Sequence, residues 1–218
     1  MSFLLIKKND NLVFQSDLTN INKSETNKYN SFSISDFFKK FLSKNLNLTN
    51  FIKKHIDTSS DSNYFTTSSN EYDISKLNEV KFKSIINLKR VNDIRYINKF
   101  FEAVNKALPD SGLYLGLVMT FPIRRKEIYK KYPPILNRLI YFIDFVFSRV
   151  SPKLPIVKKI YFYLTKGKGR VISRAETYGR LYSCGFEIVD EKIINNLLYF
   201  IAKKTNKPKY DNNPTYGP

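Results

Sequence analysis

The chain has 218 residues, of which 42% are hydrophobic and 15% aromatic, and this is enough to bury a core in one or two domains. Its formal net charge of +18 indicates an acidic partner, such as nucleic acid, anionic lipid head groups or a phosphorylated substrate. The single cysteine, Cys184, excludes an intramolecular disulfide and a cysteine-rich zinc site, and no apolar run approaches the roughly 20 residues of a membrane-spanning helix.

Residues 1–79 give weak structural signals and are predicted to form a loosely defined N-terminal part. Polar residues dominate here, and apolar residues occur only in short groups. The predicted elements are a hairpin over residues 2–6 and 11–14, a polar loop over 16–34, short helices over 37–42 and 48–55, and a strand over 64–67.

Residues 80–204 are predicted to form an α/β domain. Residues 82–88 have the β-branched character of a buried strand. Asp93 is expected to cap a helix whose apolar positions recur every three or four residues up to Leu108. The apolar run Leu113–Met119 then predicts a strand that is covered on both faces. Strand, helix and strand in this order indicate a βαβ unit, and therefore a parallel or mixed sheet.

The end of this domain predicts one helix and two closing antiparallel strands. Ser173 and Glu176 have the spacing of a capping box. The helix is expected to end at Ser183, because Gly185 suits the left-handed position that follows a helix. The strands are predicted over residues 186–189 and 197–202, with a polar connection at 190–192, and residues 205–218 are predicted to be a linker.

Residues 121–170 stand out as a basic insert that carries most of the net positive charge. Amphipathic helices are predicted over residues 135–150 and from Pro155 onward, each with a wide apolar face beside lysines and arginines. One interpretation is that these helices pack on the sheet with their lysines in water. The other is that the insert lies on the surface of an anionic bilayer.

The second interpretation assigns membrane contact to basic and apolar side chains of the insert. It expects peripheral association with an anionic membrane surface. Nucleic-acid binding is less favoured, because the apolar arc is wider than a helix that only follows phosphates would need. The predicted membrane-contact residues are Arg124, Arg125, Lys130, Lys131, Leu139, Phe142, Phe147, Lys153, Lys158, Lys159 and Phe162.

The sequence contains no catalytic or cofactor-binding constellation, and none is predicted. Its first glycine is Gly112, so the first half of the chain has no glycine-rich loop for a nucleotide, and Gly167–Gly169 lacks the P-loop spacing. His55 is the only histidine, and Cys184 has no histidine near it in sequence. The adjacent acids Asp190–Glu191 are expected to point to opposite faces of a strand.

Several segments of the chain share a pattern with a bacterial enzyme family. They are Arg170–Glu176, Gly179–Glu187 and Asn213–Pro218, together with Ile85–Arg95 and Lys131–Leu136. They resemble the front region of the polyprenyl-phosphate glycosyl-1-phosphate transferases, which are sugar transferases of exopolysaccharide and capsule biosynthesis. The resemblance implies an accessory N-terminal domain that lies peripherally at the cytoplasmic face of the inner membrane. It would be followed by a C-terminal catalytic domain that uses Mg²⁺. No catalytic residue of that family matches a position in this chain.

A second resemblance concerns the fold. The predicted helix 93–108, the turn after it and the strand 113–119 are similar to the second half of a class I methyltransferase sheet. The expected fold is therefore α/β, with a partly Rossmann-like, degenerate methyltransferase-like mixed sheet and an inserted basic amphipathic helical hairpin. Two alternative functions remain. One is a degenerate domain of the methyltransferase type that uses S-adenosylmethionine, and the other is a basic nucleic-acid-binding module.

Overall fold

The computed structural model describes residues 40–79 and 82–208. The hairpin and loop predicted before residue 35, and the tail from residue 209, lie outside the described residues. The chain divides into two compact units, residues 1–49 and 50–218. In the first unit residues 40–44 are helical. A further helix, α1, spans Leu46–Lys53. It corresponds to the helix predicted over residues 48–55, but it begins and ends two residues earlier.

The described part of the second unit alternates strands and helices. Its strands are β1 (Asn63–Thr66), β2 (Ser84–Arg90), β3 (Leu113–Val118), β4 (Phe186–Ile194) and β5 (Leu197–Lys204). Its further helices are α2 (Glu71–Ser75), α3 (Ile97–Ala107), α4 (Phe121–Lys131), α5 (Pro134–Phe145), α6 (Pro155–Thr165) and α7 (Arg174–Ser183).

The five strands form one mixed sheet in the order β1-β2-β3-β5-β4. Strands β1, β2 and β3 are parallel, whereas β5 runs antiparallel to both of its neighbours, β3 and β4. Helix α3 connects β2 to β3, which confirms the predicted βαβ unit. The fold is therefore α/β with a partly Rossmann-like mixed sheet, and the basic helical insert lies between β3 and α7.

The main core lies between helices α2, α3 and α7 and one face of the sheet. Tyr114 of β3 is at its centre, with its ring centroid 5.9 Å from that of Phe101 on α3 and 5.9 Å from that of Phe200 on β5. Complete burial of this phenol raises its pKa well above the ordinary value. Aromatic edge-to-face contacts of this kind add to the hydrophobic contribution of the buried rings.

The predicted helix cap at Asp93 is wrong. Helix α3 begins at Ile97 after Tyr96, and Asp93 lies in a 3₁₀ turn just before it. The carboxylate of Asp93 is used elsewhere, because it accepts hydrogen bonds from Arg90 Nε at 3.1 Å and from the Gly169 N–H at 2.9 Å. Burial alone would raise the pKa of Asp93, but the positive charge of Arg90 and the Gly169 hydrogen bond outweigh burial and lower it.

The closing hairpin is longer than predicted. The expected polar connection at residues 190–192 is wrong, since β4 continues through it to Ile194. The chain reverses instead at Asn195 and Asn196, whose φ angles are 48° and 58°. Two consecutive left-handed residues are typical of the two-residue turns that match the twist of antiparallel strands, and asparagine tolerates this conformation well.

Both ends of helix α7 are as predicted. Ser173 precedes the helix, and its Oγ accepts a hydrogen bond from the Glu176 N–H at 3.0 Å. After the helix, Gly185 adopts a φ of 81°, which a residue with a side chain rarely adopts. A Cβ atom there would lie 2.2 Å from the carbonyl oxygen of Asn206.

Two glycine-to-alanine substitutions are expected to change stability in opposite directions. Gly185→Ala should lower the free energy of unfolding by at least about 1–3 kcal/mol, because it adds backbone strain and a collision with Asn206. Gly179→Ala, inside α7 with nothing within 4 Å of the new Cβ, should raise it by about 0.5–1 kcal/mol. Urea unfolding measures both values, and equal effects would contradict the geometry described for Gly185.

Candidate functional site

The basic insert is built from three helices and the turns between them. Helix α4 was not predicted, because its apolar residues lack helical periodicity; only Ile123 and Ile128 are buried. Pro122 in its first turn is well placed, since proline has no N–H that a helix start would need to satisfy. Helix α5 continues into a π-helical turn over Val146–Val150, and a 3₁₀ turn over Ser151–Lys153 leads to α6.

Helix α5 has an inverted distribution of polar and apolar side chains. Its buried residues are Asn137 and Asp144, which are 8% and 5% exposed, and the buried Ser148 follows in the π-helical turn. Its apolar residues face outward, with Ile135 90% exposed and Phe142 64% exposed. The other exposed apolar residues of this segment are Leu136, Leu139, Ile143 and Val146. The interpretation in which this apolar face packs on the sheet therefore does not describe α5.

An ion pair between α4 and α5 explains why the polar side of α5 faces inward. Arg124 Nε donates to Asp144 Oδ2 at 2.6 Å, and a second guanidinium nitrogen donates to the other carboxylate oxygen. Both side chains are largely buried, with 16% and 6% exposure. A two-pronged arginine–carboxylate pair fixes both distance and orientation, so it holds α5 with Asp144 against α4.

Helix α6 is anchored by two aromatic residues and exposes the rest of its apolar side chains. Tyr161 and Phe162 are buried, and the Tyr161 ring lies 5.3 Å from that of Phe147 in the π-helical turn. Tyr163 is 84% exposed. The other exposed apolar residues here are Val157, Ile160 and Leu164, with Leu154 in the preceding turn. Both amphipathic helices of the insert thus present apolar side chains to solvent.

Arginine–aromatic contacts line the α4–α5 pair. The Arg125 guanidinium lies 5.0 Å from the ring centroid of Tyr129 and 5.7 Å from that of Tyr141. Arg149 lies 5.0 Å from the ring centroid of Phe121. These contacts place positive charge beside aromatic rings of the insert.

The structure divides the predicted membrane-contact residues into three groups by their exposure. Arg124 and Phe162 leave the proposed contact set, because they are largely buried against Asp144 and the body of the domain. Phe147 and Lys158 are half-buried. The exposed members of the set are Arg125, Lys130, Lys131, Leu139, Phe142, Lys153 and Lys159. Exposed apolar residues outside the predicted set include Ile135, Ile160, Tyr163 and Leu164, and Ile135 lies one helical turn before Leu139.

The carboxyl end of the parallel strands is closed by a polar cluster. Asn92 Nδ2 donates to the carbonyl oxygens of Met119 at 2.9 Å and Arg170 at 2.6 Å, and Asn92 Oδ1 accepts from the Met119 N–H at 2.7 Å. The Arg170 guanidinium donates to the carbonyl oxygens of Arg95, at 3.0 Å, and Ile94. Burial lowers the pKa of Arg170 to about 10. In sheets of this type, ligands bind outside this edge.

The remaining titratable groups of interest have structural partners. Tyr178 OH donates to Glu191, which also pairs with Arg174 at 2.7 Å. Asp190 instead contacts Lys54 and His55, which confirms that the adjacent acids serve different faces. Burial raises the pKa of the Cys184 thiol to about 12, so this cysteine is not an activated nucleophile.

Acid pH is expected to weaken the contact at Asp190. Hydrogen bonds from Lys54 Nζ and from His55, both at 2.8 Å, hold the pKa of Asp190 at about 2. A lowered pKa stabilises the fold above the unfolded-state value near 3.8, and this stabilisation is lost as the pH falls through about 2. Lys54→Met should raise the pKa of Asp190 toward 3.8 in an NMR titration of the carboxyl carbon. Lys99→Met is the control and should leave the pKa of Asp190 unchanged. An unchanged pKa of Asp190 in Lys54→Met would contradict the contact between Lys54 and Asp190.

Two kinds of feature are absent from the described residues. Within residues 40–79 and 82–208, no helix is long and apolar enough to cross a membrane. The same residues contain no group of three or more histidine, cysteine or acidic side chains that could hold a metal ion.

Comparisons with known proteins give weak structural similarities. No protein-family model and no curated protein matches this chain. An O-methyltransferase family protein from Burkholderia thailandensis is similar with a TM-score of 0.38 at 14% identity, covering 63% of this chain and 34% of that one. An O-methyltransferase family 2 protein from Planctomyces limnophilus is similar with a TM-score of 0.35 at 15% identity, covering 56% of this chain and 30% of that one. A structure described as a possible exported protein from Bordetella parapertussis is similar with a TM-score of 0.36 at 12% identity, covering 58% of this chain and 40% of that one.

The expectation of a sugar transferase accessory domain is wrong. The structures that resemble this chain include O-methyltransferase family proteins, and nothing points to a sugar transferase or to exopolysaccharide or capsule synthesis. The segments behind that expectation have local structural roles: Ser173 caps α7, Gly185 ends it, and Pro134 begins α5. Such residues recur wherever helices begin and end, so they carry little family information. The fold is the α/β class with a partly Rossmann-like mixed sheet that the sequence predicted.

Proposed function

We propose that this chain is a methyltransferase-like scaffold that serves as a peripheral binding module for anionic membranes. The observation that carries the proposal is the inverted helix α5, which buries Asn137 and Asp144 and exposes Ile135 and Phe142. A helix in water normally buries its apolar side. An outward apolar face beside many lysines and arginines fits the boundary between head groups and acyl chains of an anionic bilayer.

The exposed apolar side chains supply the hydrophobic part of the binding free energy. Full burial of one large apolar side chain contributes about 1.5–3 kcal/mol. Six such residues of α5 and α6 are more than half exposed: Ile135, Leu139, Phe142, Ile160, Tyr163 and Leu164. Partial immersion of this set would contribute on the order of several kcal/mol, enough for reversible association.

The charge of the insert supplies the electrostatic part and selects the partner. Lysines and arginines near an anionic membrane surface contribute about 1 kcal/mol each at moderate salt. Exposed basic residues occur on α4, on α5 and around α6: Arg125, Lys126, Lys130, Lys131, Arg138, Lys153, Lys159 and Lys166. This charge favours a lipid surface over a second copy of the chain, because two such faces would repel each other.

Vesicle flotation tests the proposal. The full chain is expected to float with vesicles that contain phosphatidylglycerol and to stay behind with vesicles of phosphatidylcholine alone. Lys153→Glu combined with Lys159→Glu should reduce flotation about tenfold or more, since each reversal removes one attraction and adds one repulsion. Raising the salt concentration should weaken binding in the same direction.

A matched control separates the insert from charge in general. Lys99→Glu combined with Lys203→Glu makes the same change in net charge at exposed positions outside the insert. Equal loss of flotation in both double variants would contradict a role for the insert. Two results together would identify a second copy of the chain, and not a membrane, as the partner of this face. The wild-type chain would bind neither kind of vesicle, and it would form dimers in sedimentation equilibrium that Phe142→Ser disrupts.

The scaffold part of the proposal has its own test. Because the carboxyl edge of β2 is closed by Asn92 and Arg170, we expect no tight binding of S-adenosylmethionine. Calorimetric titration of the full chain with this compound measures it directly. Micromolar affinity would show an active cofactor site and contradict the interpretation of the fold as a scaffold.

A further inference from the structure

The inner side of helices α5 and α6 is polar and incompletely hydrogen-bonded. Asn137 and Ser148, on the inner side of α5 and its π-helical turn, are buried, and so is Tyr161 of α6. Asn137 Oδ1, Ser148 Oγ and Tyr161 OH have no hydrogen-bond partner among the residues that the structure describes. Buried polar atoms are almost always hydrogen-bonded, and each exception destabilises the arrangement that buries it. The position of these helices therefore carries a free-energy cost that exposure to water would remove.

Helix α4 packs with the main core, whereas the two helices after it form a separate piece of the insert. Ile123 of α4 is part of the main core, and Thr120, just before α4, pairs with Ile172. We call residues 134–165, which contain α5, the π-helical turn and α6, the α5–α6 hairpin. A movement of the insert would thus concern this hairpin and leave α4 in place.

The polar contacts between the hairpin and the rest of the domain are of a kind that water can replace. Asp144 pairs with Arg124 of α4, and the Ser148 carbonyl oxygen accepts a hydrogen bond from the Val171 N–H at 3.1 Å. A buried ion pair contributes little net stability relative to two hydrated ions, although the loss of one partner alone is costly. Opening of the hairpin leaves both ions in water, so it costs less than the removal of either partner alone.

Both ends of the hairpin have backbone that suits a hinge. Residues 132–133, between α4 and α5, are extended, with ψ angles of 150° and 156°. At the other end, Lys166 and Gly167 have positive φ angles of 52° and 79°. The chain is fixed again at Gly169, whose N–H donates to Asp93 Oδ1 at 2.9 Å. Hinges are a few residues at the ends of elements that absorb a change in φ and ψ, and glycine does so with little strain.

Opening exposes aromatic rings that a bilayer can bind. The Tyr161 ring lies 5.3 Å from that of Phe147 and 5.4 Å from that of Phe162. Opening gives up the contacts of Phe162 with the Arg95 and Arg170 guanidinium groups, at 5.8 Å and 5.6 Å from the ring centroid. In return, the three rings enter the bilayer beside the apolar residues that are already exposed, and the polar side of α5 faces water. A ligand shifts a conformational equilibrium only if it binds one state more tightly, and these rings supply that difference.

We propose that the α5–α6 hairpin moves away from the body of the domain when the insert meets an anionic membrane, with hinges at residues 132–133 and 166–168. This inference rests on the proposed membrane function and adds a conformational step to it. The closed state predominates in the free protein, because the ion pair and the ring contacts favour it. The bilayer binds the open state more tightly, so the apparent affinity for vesicles follows the fraction of open protein.

Hydrogen exchange of the Val171 amide reports opening without any membrane. This N–H is bonded to the Ser148 carbonyl oxygen across the interface, so it becomes free to exchange when the hairpin opens. Ser148→Ala combined with Tyr161→Phe removes two buried hydroxyls without a partner and should slow this exchange about tenfold or more. Tyr114→Phe is the control, because it removes a buried hydroxyl of the same kind from the main core. It should leave the exchange of Val171 unchanged.

Vesicles connect opening with membrane binding. On vesicles that contain phosphatidylglycerol, the Val171 amide of the wild-type chain should exchange faster than in solution. The double variant Ser148→Ala/Tyr161→Phe should bind these vesicles about tenfold more weakly, since its open state is rarer, although its exposed apolar and basic side chains are unchanged. Tyr114→Phe should bind them as the wild type does.

Three results would overturn the proposal. The first is equal exchange of Val171 in the wild type and the double variant, and the second is a double variant that binds vesicles as tightly as the wild type. The third is a Tyr114→Phe chain that slows the exchange as much as the double variant, because Val171 would then report unfolding of the whole domain. Failure of the proposed function is a different result: the wild-type chain binds no vesicle, and the exchange of Val171 in solution still shows whether the hairpin opens.

Discussion

Replacing Ile135, Leu139 and Phe142 together with serine is expected to lower the affinity for anionic vesicles by more than about a hundredfold. These side chains are 90%, 56% and 64% exposed, so the folded protein loses few contacts when they are shortened. In the bilayer, each would have contributed up to about 1.5–3 kcal/mol of apolar burial. Binding should therefore fall steeply while the midpoint of urea unfolding changes little.

The control for this triple variant is Tyr72→Ser. Tyr72 is 70% exposed on α2, outside the insert, and its loss removes exposed apolar surface without touching α5. It should leave vesicle binding unchanged. If the triple variant still binds anionic vesicles as tightly as the wild type, charge alone accounts for the association and the apolar face has no part in it.

Removing the carboxylate of Asp144 is expected to have the largest effect on stability. In Asp144→Ala the guanidinium of Arg124 stays largely buried and loses its two hydrogen bonds. An uncompensated buried charge costs roughly 3–5 kcal/mol, far more than the loss of a surface ion pair. Urea unfolding followed by circular dichroism measures the difference in the free energy of unfolding.

A double substitution provides the control for the buried pair. Arg124→Met combined with Asp144→Leu removes both charges and should recover most of the lost stability, because an apolar replacement of a buried pair is often neutral. A cost below about 1 kcal/mol for Asp144→Ala would show that the pair behaves as a solvent-exposed one. In that case the ion pair would not be what turns the polar face of α5 inward.

The elements that the sequence predicted well are those with strong local signals. The capping pattern of Ser173 and Glu176, the left-handed Gly185 and the apolar run of β3 each depend on residues close in the chain. The prediction misses the turn at Asn195 and Asn196 because the acidic residues before it form the more polar stretch. Two asparagines in a row are themselves a turn signal.

The orientation of α5 could not be predicted from periodicity. The pattern of the helix separates an apolar face from a face with Asn137 and Asp144, but it does not state which face meets the protein. That choice depends on Arg124, which lies 20 residues earlier on a helix without a clear apolar stripe. For the same reason, Arg124 resembles a surface cation in sequence and is the buried partner of Asp144 in the structure.

Tryptophan fluorescence at position 142 tests most directly whether the apolar face of α5 enters the bilayer. The chain has no tryptophan, so Phe142→Trp introduces a single reporter, and Tyr72→Trp provides a matched one outside the insert. With vesicles of brominated phosphatidylglycerol, emission from position 142 should shift to shorter wavelength and be quenched, while emission from position 72 stays unchanged. Unchanged emission from position 142 in protein that floats with the vesicles would contradict membrane insertion of α5.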